Sequence, residues 1–235
     1  PIDAQILLKV TRRVPGGQPV EERTYLPTDT SVLIPWQFAP LASREEVFAT
    51  MQAVSASHQL LGKPSATLHF EVGLLEEHEH VADFVGPSWS ESETDHRHLP
   101  LVRTEVELKE QPKRARLYLS ALGLVEAEIN GVKVGNDALV PGWSNYNQRV
   151  ECFTYDVTDE LQSGANALGF WLGDGWYRGR LGFDGGYSNF YGDRIAVFAQ
   201  LEVEYADGSM QNIYSNAWDR QWKATLGPIV CSDLC

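Results

Sequence analysis

The sequence contains few cysteines, no long apolar run and no recognisable signal segment, and each absence narrows the class of protein. Cys152, Cys231 and Cys235 are spaced neither as a C-x-x-C metal pair nor as a disulfide framework, which favours a reducing compartment. No uninterrupted apolar stretch approaches the roughly 20 residues that cross a bilayer, and the start, PIDAQILLKV, lacks the charged and apolar regions of a signal peptide. We therefore expect a soluble protein without a membrane partner.

Positive charge is also scarce, since 19 Lys and Arg stand against 32 Asp and Glu for a formal net charge of −13. Proteins bind phosphate backbones through clustered Lys and Arg, and the only basic clusters here are Arg12-Arg13 and the segment 113–116. This balance argues against a nucleic-acid partner and indicates the acidic surface of a soluble protein.

The sequence is rich in apolar and polar residues that alternate with period two, the pattern of β-strands. Apolar side chains alternate over residues 195–205, with Gln200 and Glu202 on the opposite face, which predicts a half-buried antiparallel strand. Asp207-Gly208 then supplies the positive φ values of a tight turn. The following segment, MQNIYS, is predicted to return as the partner strand.

The same alternation predicts further strands upstream. RARLYLSA and ANALGFWLG are strand candidates, and VEAEIN turns into VKVG through Asn130-Gly131, a second hairpin. Residues 43–55 fit either a helix that begins with a Ser43 capping box or a strand, and the alternation favours the strand. At most one short helix is expected, between Asp156 and Gly164.

A polar segment without periodicity, residues 78–100, divides the chain. We predict a β domain at residues 1–77, a linker or long loop at 78–100, and a second β domain at 101–235. Antiparallel strands with hairpin turns and little helix are typical of β-sandwiches. The predicted class is therefore all-β, with two antiparallel β-sandwich domains.

Three loops of the second domain combine aromatic rings with planar hydrogen-bonding groups, the combination by which proteins bind sugars. An aromatic ring covers the apolar face of a sugar, while Asp, Asn and Arg engage its hydroxyl groups. The candidate carbohydrate-binding residues are Trp143 and Tyr146 in PGWSNY, Asp174, Trp176, Tyr177, Arg178 and Arg180 in GDGWYRGR, and Asn189, Tyr191 and Asp193 in YSNFYGDR. We expect the three loops to converge at one end of the sandwich.

A structural interpretation of these loops stays open beside the binding interpretation. Trp143 and Trp176 would then fill the ends of the core, since buried aromatic residues are common. Arg178 would pair with Asp174 or Asp193 and lock the loops together.

Sequence patterns that indicate a metal site or a catalytic site are weaker than those of the aromatic loops. Asn136 and Asp137 form an oxygen-rich turn that could hold calcium with carbonyl groups and Asn189, although a capped turn explains them equally well. Ser144 and Ser188 lack the glycine-framed turn of a nucleophile elbow, and nothing fixes the separation of a carboxylate pair. We do not expect a complete catalytic site in this chain.

The motifs INGVKVG, PGWSNY, TYDVT, GDGWYRGR and YGDR follow one another between residues 100 and 235. In these residues and in their order, the chain resembles the N-terminal β-sandwich module of bacterial α-L-rhamnosidases, glycoside hydrolase family 78. The earlier part, with SVLIPW near residue 31 and FEVGLL near residue 70, resembles the fibronectin-type-III-like domain that precedes this module in some members.

The resemblance implies a fibronectin-III-like domain followed by a galactose-binding or jelly-roll-like sandwich. It also implies that the whole protein is an inverting hydrolase of terminal α-L-rhamnose, whose acid and base lie in a downstream (α/α)₆ barrel absent here. The chain alone is then a non-catalytic fragment that assists recognition of a rhamnose-containing glycoside. The three cysteines favour the bacterial cytoplasm as its location. The alternative is a purely structural brace for its own downstream catalytic barrel. No cofactor is required, although related modules bind rhamnose through calcium.

Overall fold

The structure, a computed structural model, describes residues 4–29, 32–89, 98–230 and 232, and the chain divides into two compact units, 1–80 and 81–235. The strands are β1 (Ala4–Arg13), β2 (Val20–Pro27), β3 (Glu46–Ser55), β4 (Leu60–Leu61), β5 (Leu68–Glu71), β6 (Pro100–Leu108), β7 (Arg114–Leu122), β8 (Leu124–Ile129), β9 (Val132–Lys133), β10 (Phe153–Asp156), β11 (Gly164–Gly173), β12 (Ala196–Glu204), β13 (Met210–Tyr214) and β14 (Lys223–Leu226). The helical elements of the described residues are a 3₁₀ turn at Glu77–Glu79 and α1 at Gly175–Arg178. The strand pairings in these ranges are antiparallel, which confirms the all-β prediction.

The first unit is built on one five-stranded sheet in the order β2-β1-β3-β4, with β5 also paired to β3. The strand interpretation of residues 43–55 is confirmed from Glu46 onward. The helix alternative is wrong, because the Ser43 hydroxyl that would cap it donates to the Glu79 carboxylate and accepts from the Leu75 N–H. A fibronectin-III-like identity for this unit stays a prediction.

Arg12 on β1 makes five hydrogen bonds, four of which anchor the loop that precedes β3. Its Nε and Nη2 donate to the two carboxylate oxygens of Glu45 at 2.7 and 3.0 Å. Its remaining N–H groups reach the Glu22 carboxylate and the carbonyl oxygens of Ala39 and Pro40. The hydrogen bond between Arg12 and Glu45 raises the pKa of the guanidinium and lowers that of the carboxyl group.

The second unit is a sandwich of two sheets, ordered β10-β7-β12-β13 and β14-β6-β11-β8-β9. The inward faces of the central strands supply its apolar core. That core includes Leu117 and Leu119 of β7, Leu168 and Phe170 of β11, and Leu201 and Val203 of β12. The core lies between the two sheets. The outer face of the five-stranded sheet is open to solvent around β11.

The prediction of a half-buried strand at residues 195–205 is only half right. Its apolar face does point into the core, but Gln200 and Glu202 on the other face are also buried. The reason is a remote segment of the chain: Val85 exchanges two backbone hydrogen bonds with Val197, and the Val81 N–H donates to the Gln200 side chain. Residues 81–85 of the segment predicted as a linker therefore lie against β12, whereas residues 90–97 lie outside the described residues.

Both predicted hairpins are present. β8 and β9 meet across Asn130-Gly131, where both residues have positive φ, and β12 and β13 pair from Glu204↔Met210 across the Asp207-Gly208 turn. Residues 157–163 form turns rather than a helix. The Asp156 carboxylate accepts the Thr158 N–H at 3.1 Å, but no helical turn follows it. Across the parts of the chain that the structure describes, no helix has the length and apolar character to span a bilayer.

Candidate functional site

The three aromatic loops predicted to converge do so at one end of the second unit. We call this set of residues, 141–146, 174–183 and 187–194, the loop cluster. The Tyr191 N–H donates to the Tyr177 carbonyl at 3.2 Å, and the Asn189 N–H donates to the Arg178 carbonyl at 2.8 Å. These backbone hydrogen bonds join the second and third loops, while ring contacts join the first loop to both.

Trp143 and Trp176 lie with parallel indole rings at the surface of the loop cluster. Their centroids are 6.2 Å apart and their planes differ by 3°, within the range of offset-stacked aromatic pairs. The Trp143 Nε1–H points to the Tyr191 hydroxyl at 3.4 Å. Trp143 is nevertheless 60% exposed, so an indole face with a fixed orientation meets solvent.

Tyr146 forms the buried centre of the cluster. Its hydroxyl donates to the Gly142 carbonyl at 2.7 Å, and its ring contacts Tyr177 edge-on and Tyr191 at a tilt. Burial, reinforced by Tyr191, raises the pKa of Tyr146 to about 12. Among the candidates, Tyr146 therefore supports the others and presents little of itself to solvent.

Arg178 and Asp174 pair with each other inside the cluster. Arg178 is 1% exposed, and its Nε donates to the Asp174 carboxylate one helical turn earlier, in α1. Ser232 Oγ donates to the other Asp174 oxygen at 3.1 Å. Burial lowers the pKa of Arg178 to about 10, which still leaves the guanidinium charged at neutral pH. These two candidates therefore lie within the protein rather than at its solvent-facing surface.

The remaining polar candidates lie closer to solvent. Asp193 is exposed, and after burial its charge is the second cause of the raised pKa of Tyr177. Arg180 is half-buried and donates to the Gly185 carbonyl at 2.6 Å. Asn189 has a φ of 61°, a left-handed conformation that Asn tolerates better than most residues.

Sequence reasoning missed three exposed aromatic residues within the loop cluster. Phe183 is 96% exposed, and Tyr187 and Phe190 are also largely exposed. Leu181 and Tyr187 exchange two backbone hydrogen bonds, so Phe183 stands at the tip of a short hairpin. The glycines after Phe183, Gly185 and Gly186, were the available signal, because both adopt the positive φ of a tight turn.

The predicted calcium ligands, Asn136 and Asp137, are exposed in the turn after β9. Burial and, after it, a hydrogen bond with the Asp137 carboxylate raise the pKa of Tyr155. Within the described ranges, no group of three or more His, Cys, Asp or Glu side chains forms a metal cluster. A calcium ion here would thus depend on amide and carbonyl oxygens as well as Asp137, a donor set that suits this cation.

Of the cysteines, Cys152 is a free thiol, and Cys231 and Cys235 lie outside the described residues.

Comparisons with known proteins show the family to which the chain belongs. Residues 110–235 match the family described as the α-L-rhamnosidase N-terminal domain. An α-L-rhamnosidase of Formosa agariphila is 36% identical over 213 residues, which are 87% of this chain and 22% of that protein.

Two solved structures extend the similarity to the whole chain. Native α-L-rhamnosidase from Aspergillus terreus has a TM-score of 0.84 and 35% identity, covering 99% of this chain and 27% of that one. Streptomyces avermitilis α-L-rhamnosidase complexed with L-rhamnose has a TM-score of 0.55 and 27% identity, covering 100% of this chain and 26% of that one. The chain thus spans about a quarter of the length of these relatives.

Proposed function

Because the chain belongs to the α-L-rhamnosidase N-terminal domain family, we propose that it is an accessory carbohydrate-recognition module of such an enzyme. In this proposal the longer protein hydrolyses terminal α-L-rhamnose from glycosides, and the loop cluster of the present chain contacts the sugar. The observation that carries the proposal is the Trp143 indole, which is 60% exposed yet oriented by Trp176 and Tyr191.

A fixed, exposed indole suits the apolar face of a pyranose. Trp176 and Tyr191 already orient the ring, so little conformational entropy would be lost when a ligand binds. Tyr191, Asp193 and Arg180 supply hydroxyl, carboxylate and guanidinium groups at the same end of the unit, and these groups form hydrogen bonds with sugar hydroxyls. Asp174 and Arg178 act in this proposal by holding the loops in place, since their charged groups pair inside the cluster.

Calorimetric titration with L-rhamnose tests the proposal. We expect saturable heat from the wild type and binding at least about tenfold weaker from Trp143→Ala. Trp218→Ala is the matched control, because Trp218 is 90% exposed elsewhere in the same unit. Equal binding by the wild type and Trp143→Ala, or no heat from the wild type, would refute the loop cluster as a rhamnose site.

Calcium is a separate part of the proposal, with Asn136 and Asp137 as its ligands. Repeating the titration after chelation, and with Asn136→Ala/Asp137→Ala, shows whether the ion contributes. Loss of heat in both cases supports a calcium-dependent site. Unchanged heat in both cases removes calcium and leaves the aromatic site standing.

A second candidate function rests on Phe183 at the hairpin tip and on Phe190 in the third aromatic loop. Phe183 and Phe190 have no polar group for a sugar, and exposed clusters of apolar side chains commonly mark protein interfaces. We propose as the alternative that these residues brace the chain against the catalytic barrel of the longer protein. Phe183→Ser/Phe190→Ser should then lower the melting temperature of the longer protein while leaving the isolated chain unchanged. If the variant and the wild type melt at the same temperature in the longer protein as well as in the isolated chain, the brace is refuted.

A further inference from the structure

An open groove crosses the outer face of the five-stranded sheet, and its lining residues are all different from those of the loop cluster. It has a volume of about 520 Å³ and is lined by residues of β6, β8, β11 and β14. Its side-chain walls include Leu101, Arg103, Glu128, Trp171, Lys223 and Thr225. We propose that this groove is a second carbohydrate site, which binds one pyranose residue of a glycoside. The proposal extends the proposed function, since it takes a glycoside as the ligand of this chain.

Gly169 forms the floor of the groove, and nothing in the described parts of the chain requires a glycine there. A Cβ added at Gly169 would meet no atom within 4 Å, and its φ lies outside the left-handed region. Glycine weakens the interior of a strand, and it commonly marks a point where a ligand or another backbone approaches closely. Any larger side chain at this position would fill the groove.

The register of the sheet sets polar groups on the two sides of Gly169. Arg103 on β6 and Glu128 on β8 are both its direct partners, so their Cα atoms lie two strand spacings, about 10 Å, apart. Lys223 on β14 is the direct partner of Arg103. Two cations side by side are unfavourable in a sheet, and here they place hydrogen-bond donors on the wall opposite the Glu128 acceptor.

Trp171 supplies the apolar surface of the groove. It follows the buried Phe170 on β11, so its indole stands on the outer face, beside Leu101 on the neighbouring strand. Arg103 pairs with Glu105, but both side chains are more than half exposed, and such pairs reorganise at little cost. An indole, donors on one wall and an acceptor on the other fit a neutral ligand with an apolar face and hydroxyl edges, which describes a pyranose.

Protein-observed NMR tests the groove without confusing it with the loop cluster. The probes are methyl α-L-rhamnoside and methyl β-D-glucoside, and the readout is the Trp171 indole N–H signal, assigned with Trp171→Phe. We expect a saturable shift with millimolar affinity from at least one glycoside. Gly169→Val should weaken it at least about tenfold while the melting temperature stays equal or rises, since valine favours strands.

The matched control is Ala167→Val, which adds the same kind of side chain to an exposed position of β11 that does not line the groove. It should bind as the wild type does. Arg103→Gln is a second variant, at an exposed position of the groove, and it should also weaken binding. It tests the groove even if Gly169→Val fails to fold. The inference is overturned if neither glycoside shifts the Trp171 signal, or if Gly169→Val and Arg103→Gln both bind as tightly as the wild type. The Trp143 indole signal reports separately on the proposed function, so either site can fail alone.

Discussion

Arg178 donates to the carboxylate of Asp174 within a single helical turn, and both side chains are buried where β11 ends. The pair closes α1, from which the Arg178 carbonyl accepts the Asn189 N–H of the neighbouring loop. A polar contact that looks suited to a ligand in sequence thus holds two loops together. As a consequence, the loops that surround the exposed Trp143 are held in a fixed arrangement.

Removing Arg178 should destabilise the second unit. Arg178→Met leaves the Asp174 carboxylate buried without this ion pair, and breaking a buried ion pair costs about 3–5 kcal/mol of unfolding free energy. Denaturant unfolding measures the loss. Arg180→Met is the control, because Arg180 is half-buried and a hydrogen bond such as the one it donates to the Gly185 carbonyl is worth only about 1 kcal/mol. Equal losses in the two variants would contradict a special role for the Asp174–Arg178 pair.

Gly192→Ala should disturb the packing of Tyr177. A Cβ at Gly192 would lie 2.2 Å from the Tyr177 Oη, and the ring cannot shift freely because it packs edge-on against Tyr146. Overpacking of this kind costs about 1–3 kcal/mol.

Thermal unfolding of two further variants tests whether the clash with Tyr177 causes the loss of stability in Gly192→Ala. Gly169→Ala meets open space and should stabilise the protein by about 0.5–1 kcal/mol, since alanine replaces a glycine within a strand. Combining Gly192→Ala with Tyr177→Phe removes the closest atom and should recover part of the stability. If the double variant is no more stable than Gly192→Ala, the clash with the Tyr177 hydroxyl is not the cause.

The hairpins were predictable because two adjacent residues determine each turn. Asn130-Gly131 and Asp207-Gly208 tolerate positive φ, and the alternation on either side sets which faces pair. The aromatic loops were predictable as a set for a similar reason, because their residue types are local in sequence. Their convergence follows from the order of the strands that carry them.

What sequence reasoning missed depends on contacts between distant segments. Gln200 looks like a solvent-facing residue of an amphipathic strand, and its burial comes from residues near Val81, more than a hundred positions earlier. Whether Arg178 faces a ligand or Asp174 was left open by the residue types. The groove at Gly169 exists only through the register that places Arg103 and Glu128 on its two sides.

Arg12 should control the stability of the first unit. Arg12→Met removes the bidentate pair with Glu45 and the hydrogen bonds to Ala39 and Pro40, at a cost of about 3–5 kcal/mol. Arg12→Lys keeps the charge but not the planar arrangement of donors, so it should recover only part of the loss. Amide hydrogen exchange measures the effect in β1, with β7 of the second unit as the internal control. Equal acceleration in both strands would show that the effect is not confined to the first unit.

Glu79 should make the first unit sensitive to acid. Burial opposes its ionisation, but hydrogen bonds from Ser43, the Glu76 N–H and Arg44 outweigh burial and lower the pKa to about 2 from its usual 4.5. A carboxyl group with a depressed pKa in the folded state stabilises the fold above its unfolded pKa, and this contribution disappears as pH falls through the folded pKa. The stability difference between the wild type and Glu79→Gln should therefore be constant near neutral pH and shrink between about pH 4.5 and 2.

Glu77→Gln, exposed on the same 3₁₀ turn, is the control, and thermal unfolding across this range measures both variants. A difference that stays constant down to pH 2 would show that ionisation of Glu79 does not stabilise the first unit.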